Sequence, residues 1–187
     1  VKTKDLVYIA LFAAITAVLG LVPAIQVGPV PITAQTLGVM LAGAILGARR
    51  GFLSQLLFLV LVAIGLPLLA SGHGGLAAFT GPSAGYLISW PIAAFVVGLL
   101  TERFWGRYNL AWGILANVVG GILVIYAIGV PVLAAIANLS PEAAIVSGAL
   151  PFLIGDGIKA VLAAAIAVQV RRSYPVIETP QRAVALR

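Results

Sequence analysis

The sequence has no cysteine, one histidine, one methionine and only five acidic side chains. Lack of cysteine removes disulfide scaffolds, and one His with five scattered acids leaves no metal cluster. Charge of either sign is scarce: eleven basic and five acidic side chains make up 9% of 187 residues, against 62% apolar. A soluble domain carries about 25% charged residues, so that class is excluded, as are disordered chains and coiled coils. Neither G-x-x-x-x-G-K-[ST] nor G-x-G-x-x-G occurs, so the chain has no usual site for ATP hydrolysis or a dinucleotide. What is present is a mean hydropathy of +1.16 and long uncharged runs. The chain reads as a polytopic membrane protein.

No charge falls in Leu6–Ala48, Gly51–Thr101 or Tyr108–Pro141. A bilayer core of about 30 Å needs about 20 helical residues, so the first two runs each hold two spans. Pro23, Gly28, Pro29 and Pro31 divide the first run; Gly65–Pro67, Ser71–Gly75 and Gly81–Pro82 divide the second. The third run holds one span, from Leu110 to about Ile128, ending at Pro131, and a sixth runs from Pro151 to Arg171. The predicted spans are 6–22, 34–48, 51–66, 83–101, 109–129 and 151–171. Continuously apolar Ala/Leu/Gly-rich runs argue for helices over a barrel, so the expected fold is an all-α integral membrane bundle of six transmembrane helices. Ser140-Pro141-Glu142 reads as a helix start and predicts a short surface helix over 141–149. One transmembrane domain, 1–172, and a polar cytoplasmic tail, 173–187, are expected. The first span lacks a small-x-small cleavage site and is followed by more membrane, so it is not read as a signal peptide.

Lys2, Lys4, Arg49, Arg50, Arg103, Arg107, Arg171, Arg172, Arg182 and Arg187 all fall on one side of this arrangement. The positive-inside rule then makes both termini cytoplasmic. The net charge of +6 reports orientation, and no nucleic-acid partner is expected, because the cations form no contiguous basic face.

The eleventh cation, Lys159, lies inside the sixth span, with Asp156 three residues before it. An isolated ionised residue at the membrane centre costs about 2.5–3.5 kcal/mol, so two of them need a reason. With a helix start at Pro151 they lie about 7.5 and 12 Å below its outer end. Their face continues through Ala160, Ala163 and Ala167, a small-residue seam suited to helix packing. Two readings stand: a buried ion pair that locks the sixth helix, or a ligand site. Position beneath the Gly- and Pro-rich outer loops favours the site. Thr33 and Gln35, at the start of span two, could contact a ligand or instead cap the helix and bridge helices. Tyr86, Ser89 and Trp90 share a face of span four; Phe79, Tyr86 and Trp90 could wall a ligand or form an aromatic belt.

Gly81-Pro82-Ser83-Ala84-Gly85 matches G-x-S-x-G, and His73 and Asp156 complete a triad on paper. That elbow needs a strand, a sharp turn and a helix in an α/β sheet, with a different residue order. An intramembrane serine hydrolase is therefore the weakest alternative, behind a non-transporting membrane scaffold, and no catalytic residue is assigned. Ala10, Ala13, Ala14 and Ala17 form overlapping small-xxx-small pairs on span one, suited to internal packing or to a partner subunit.

Three stretches carry a family resemblance: VPITAQTLGVMLAGAILGARRG (30–51), GLPLLASGHGGLAAFTGPSAGYLISW (65–90) and PFLIGDGIKAVLAA (151–164). Together they resemble the biotin-specific substrate-binding subunits of energy-coupling factor transporters, the BioY family, over about residues 5–172. The resemblance implies a multi-pass protein of a bacterial-type plasma membrane that binds biotin on its outer side. It implies partner chains, a transmembrane coupling subunit and ATPases, with biotin as transported ligand and no cofactor. It makes Asp156 and Lys159 ligand contacts and Ala10 to Ala17 the coupling face. Further contacts are carried onto the regions Gly74 to Gly75 and Ser89 to Trp90, where this chain has Gly and Ser in place of a polar or charged contact. Biotin offers two ureido N–H donors, one carbonyl, an apolar thioether ring and a carboxylate. Asp156 could accept a ureido N–H while Lys159 donates to the carbonyl, with Thr33 or Gln35 satisfying the remainder.

Overall fold

The computed structural model describes residues 2–177. Tail positions from 178 onward, Arg182 and Arg187 among them, lie outside the described residues. Helices occupy every stretch read as an apolar span: α1 (Thr3–Leu19), α2 (Gln35–Leu46), α3 (Ala48–Ala63), α4 (Ala84–Arg103), α5 (Leu110–Ala116) continuing into α6 (Val124–Ala137), α7 (Pro141–Gly148) and α8 (Leu153–Ser173). Three stretches, Ala84–Arg103, Leu110–Ala137 and Pro141–Ser173, are long and apolar enough to cross a membrane, and Gln35–Leu46 is a shorter apolar helix.

Helices α2 and α4 form the centre. From Gly38 to Leu46 every residue of α2 is buried, the pattern of a helix that is apolar all round. It packs on α1, α3, α4 and α8, while α4 packs on α3, α2 and α6. Small residues permit this closeness: a Cβ on Gly98 would lie 2.3 Å from the Ala48 nitrogen, and one on Gly43 would lie 2.5 Å from the Ala94 carbonyl. Between α2 and α3 only Gly47 intervenes, at φ +86°. The Glu102 carboxylate of α4 accepts from the Ala48 amide at 2.8 Å, capping the otherwise open start of α3.

Three sequence expectations need correction. The fold is not purely helical, because the proline-rich segment after α1 folds as a hairpin, β1 (Ile25–Val27) with β2 (Val30–Ile32). Gly28, at φ +82°, supplies the left-handed first turn position that a two-residue hairpin needs. Pro31 pairs with Gln26, one step beyond the Val27–Val30 pair that closes the turn, where a ladder amide is not required. The fifth helical stretch does not end at Pro131 but continues through it to Ala137. In an apolar bundle, neighbouring groups and local adjustment tolerate the missing donor. Residues Asn117–Leu123, joining α5 to α6, are wound as a π-helix, with Gly120 against Val97 and Gly121 against Met40. Lastly, α8 starts at Leu153 after a tight turn at Leu150–Phe152, so Asp156 lies about 3 Å nearer the helix end than a start at Pro151 implies. The short helix over 141–148 does form, with the Ser140 hydroxyl accepting from the Ala143 amide at 3.2 Å.

At one end of the bundle the basic residues meet. Arg50 lies 3.4 Å from Asp5 and donates to the Val176 carbonyl at 3.1 Å, while Lys4 donates to the Tyr174 hydroxyl at 3.2 Å. Arg171 donates to the Tyr108 carbonyl and stacks over the Trp105 ring at 4.7 Å.

Candidate ligand-binding cavity

The opposite end holds a cavity of about 350 Å³. Its roof and sides come from β2, the 69–83 segment and the start of α4; its floor comes from α2, α6 and α8. This volume suits a small organic ligand.

Asp156 and Lys159 both line it and pair at 2.8 Å. The Asp156 side of α8 is buried, continuing through Ala160, Ala163 and Ala167, as the seam of small residues predicts. All three ammonium protons of Lys159 are placed: on the Thr33 carbonyl at 2.6 Å, the Thr36 hydroxyl at 2.9 Å and Asp156 Oδ1 at 2.8 Å. The Thr36 hydroxyl donates to Asp156 Oδ1 at 3.3 Å, and the Tyr126 hydroxyl donates to Oδ2 at 2.7 Å. Neither charge is left bare, which is the condition for keeping an ion pair in low dielectric. The pair is therefore a strut between α8, α2 and α6, and at the same time a polar patch on the cavity wall. A ligand that accepts a hydrogen bond from Lys159 must displace Thr33, Thr36 or Asp156 from it.

Gln35 lines the cavity, but its amide is committed to neighbours. Nε2 donates to the carbonyls of Thr16 at 3.1 Å and Leu68 at 3.0 Å, and Oε1 accepts from the Ala70 amide at 3.0 Å. This side chain ties α1 and α2 to the start of the 69–83 segment. Thr33 contributes its carbonyl to Lys159. Gly74 lines the cavity where the chain doubles back on Leu66, and a Cβ there would lie 2.2 Å from the Leu66 carbonyl. Gly75, at φ +87°, does not reach the cavity; its amide donates to the Val62 carbonyl at 2.7 Å and anchors the segment to α3.

Tyr86 and Trp90 are both buried wall residues. The Tyr86 hydroxyl donates to the Gly148 carbonyl at 2.6 Å, and its ring lies 6.3 Å from that of Phe152. The Trp90 ring packs against Phe58 at 5.6 Å. Ser89, between them in register, does not line the cavity, because its hydroxyl donates at 2.6 Å to the Tyr86 carbonyl inside α4. The structure thus brings together Thr33, Gln35, Gly74, Tyr86, Trp90, Asp156 and Lys159, and leaves Gly75 and Ser89 behind the wall. Sequence reasoning missed Thr36, Tyr126 and Phe152. Thr36 stands three residues after Thr33, and Tyr126 is an isolated hydroxyl in the most apolar helix; those are the signals that could have found them.

His73 and Ser83 also line the cavity, yet they form no relay with Asp156. The Asp156 carboxylate is taken by Lys159, Thr36 and Tyr126, and His73 Nδ1 lies 3.2 Å from the Ala70 carbonyl. The alanine stripe of α1 divides: Ala13 is buried in the core and Ala17 is half-buried, whereas Ala10 and Ala14 are exposed.

Comparison with known proteins adds an independent line. The family model described as "BioY family" matches residues 1–176. A biotin transporter BioY of Rhizobium etli is 51% identical over 97% of this chain and 100% of its own length. One of Rhodobacter capsulatus is 47% identical, covering 92% of this chain and 95% of its own. Among solved structures, the S-component for biotin from an ECF-type ABC transporter superposes with a TM-score of 0.86 at 35% identity, covering 90% of this chain and 91% of that one. With the model match spanning nearly the whole chain and two such relatives, this chain belongs to the BioY family.

Proposed function

We propose that the chain is the biotin-binding membrane subunit of an energy-coupling factor transporter, capturing biotin in the 350 Å³ cavity while partner chains hydrolyse ATP. It is a transport subunit and not an enzyme, in keeping with its family and with the names of its relatives. The single observation that carries the ligand site is the Asp156–Lys159 pair, buried yet on the cavity wall. A ureido group is a donor–acceptor–donor edge, and a carboxylate beside an ammonium complements it. Asp156 accepts one ureido N–H, and Lys159 turns from Thr33 or Thr36 to donate to the ureido carbonyl. Tyr126 and Thr36 hold the carboxylate in place during this exchange. Tyr86 and Trp90 cover the thioether ring, and Gly74 lets the backbone approach it closely. Gln35 and Gly75 serve the site indirectly, by fixing the 69–83 segment, and Ser89 stays behind the wall.

The same reading extends to topology. Six crossings with both termini cytoplasmic agree with the meeting of Arg50, Lys4 and Arg171 at one end of the bundle, away from the cavity. Residues 1–172 then form one multi-pass domain of the plasma membrane, and 173–187 a cytoplasmic tail. Ala10 and Ala14, exposed on α1, are the part of the stripe open to a transmembrane coupling subunit. Radiolabelled biotin added to the detergent-purified chain tests the proposal. Stoichiometric binding that survives excess unlabelled riboflavin and thiamine is expected; no retained label would overturn it.

A further inference from the structure

A second concave surface lies between α3 and α4 and shares no lining residue with the cavity. Phe52 and Leu53 of α3 and Ile92 and Phe95 of α4 line a groove of about 460 Å³, with Arg49 at one end. Phe52 and Phe95 meet edge to face at 6.4 Å, and Ile92 and Phe95 remain exposed. Gly98 abuts Ala48, so Ile92, six residues earlier on α4, lies about 9 Å deeper than the Arg49 end. That depth is more than half of one leaflet's hydrocarbon thickness, about 15 Å.

The two arginines at the head of α3 differ. Arg50 is held by Asp5 and the Val176 carbonyl. Arg49 is exposed and has no hydrogen-bond or ion-pair partner among the described residues. Glu102, at the same end of the bundle, is turned to the Ala48 amide at 2.8 Å. An unpaired guanidinium at the membrane face, above an apolar groove running toward the bilayer centre, matches a molecule with an anionic phosphate head and a hydrocarbon tail.

We infer that the α3–α4 groove is a binding site for an anionic phospholipid, with its phosphate on Arg49 and an acyl chain along Phe52, Phe95 and Ile92. This rests on the chain lying in a membrane, not on what fills the cavity. The test uses delipidated, detergent-purified full chain titrated with phosphatidylglycerol or phosphatidylcholine of identical acyl chains. Retained lipid is read by native mass spectrometry and unfolding by thermal midpoint. Phosphatidylglycerol should be retained about fivefold over phosphatidylcholine, the size expected of one cation at an anionic headgroup, and should raise the midpoint. Arg49→Gln should abolish that preference, whereas Arg172→Gln, another exposed cation at the same end, should keep it. Glycerol phosphate, which has the head without the tail, should leave the midpoint unchanged. Lipid-free midpoints of both variants establish that each is folded. Equal retention of the two lipids, or equal loss in the two variants, would overturn the site; stabilisation by glycerol phosphate alone would make it a phosphate site and not a lipid one.

Discussion

Two ion pairs stand at opposite ends of this bundle. Asp5 and Arg50 are 3.4 Å apart, with side chains 29% and 19% exposed, and join α1 to α3. Asp156 and Lys159 are 2.8 Å apart, 6% and 14% exposed, and their remaining valences go to Thr33, Thr36 and Tyr126. The chemistry is the same but the solvent is not. Near water a pair exchanges one good environment for another; in a dry interior each member is the main reason the other can remain charged. The inner pair is thus both a structural joint and a polar patch on the cavity wall. The outer pair is only a joint.

The sharpest way to break this comparison is to remove one partner at each end. Lys159→Met strands Asp156 and should destabilise the protein by about 3–5 kcal/mol, whereas Arg50→Met should lose no more than about 1 kcal/mol. Unfolding in one detergent system measures both. Replacing both inner partners, Asp156→Asn with Lys159→Met, should recover part of the loss, because no bare charge remains. Equal losses at the two ends would mean that water reaches the inner pair.

Ligand affinity separates the ends in a second way. Asp156→Asn should weaken biotin binding by roughly 10- to 100-fold, the range for one charged hydrogen bond of about 1.5–3 kcal/mol. Tyr126→Phe and Thr36→Val remove only supports of the pair, so each should weaken binding less, by about fivefold. Arg50→Met should leave affinity unchanged. Equilibrium binding of labelled biotin to each variant reads the series, and an Asp156→Asn effect within twofold would detach the pair from the ligand.

The inner pair was legible in the sequence because two charges inside an apolar run admit few explanations. Its partners were not. Thr36 is an ordinary helix residue until α8 is known to lie against α2, and Tyr126 is one tyrosine in an apolar run until the fold brings its hydroxyl to Asp156. The helices themselves followed from runs of uncharged residues, a signal that survives without tertiary information. The hairpin at 25–32 did not, since three prolines in a short stretch satisfy an extended chain and a turn equally well until Gly28 is seen at positive φ. Gly74 and Gly75 are alike on paper; only the fold turns one toward the cavity and anchors the other to Val62.

Gln35 tests whether the cavity is shaped in advance. Gln35→Leu keeps the volume but orphans the Ala70 amide and the carbonyls of Thr16 and Leu68. A loss of about 1–3 kcal/mol is expected. Proteolytic cleavage between residues 69 and 75 should speed up, and biotin should slow it again. No change in cleavage would mean that the segment is held by its other contacts, with the amide dispensable.

The smallest effect is expected one residue from one of the larger wall residues. Ser89 and Trp90 are neighbours on α4, yet a helix turns about 100° per residue, so only one of them lies on the cavity wall. The Ser89 hydroxyl closes back on the Tyr86 carbonyl at 2.6 Å, a bond that slightly disfavours the helix rather than supporting it. Ser89→Ala should therefore change biotin affinity by less than about twofold and stability by less than about 0.5 kcal/mol, near the scatter of neutral substitutions. Trp90→Ala, measured beside it, should weaken binding clearly, because it strips an aromatic face from the wall. A tenfold loss in Ser89→Ala would require α4 to rotate when ligand enters. The cavity wall would then be assembled by the ligand, and the contrast between a prepared cavity end and a merely fastened opposite end would fail.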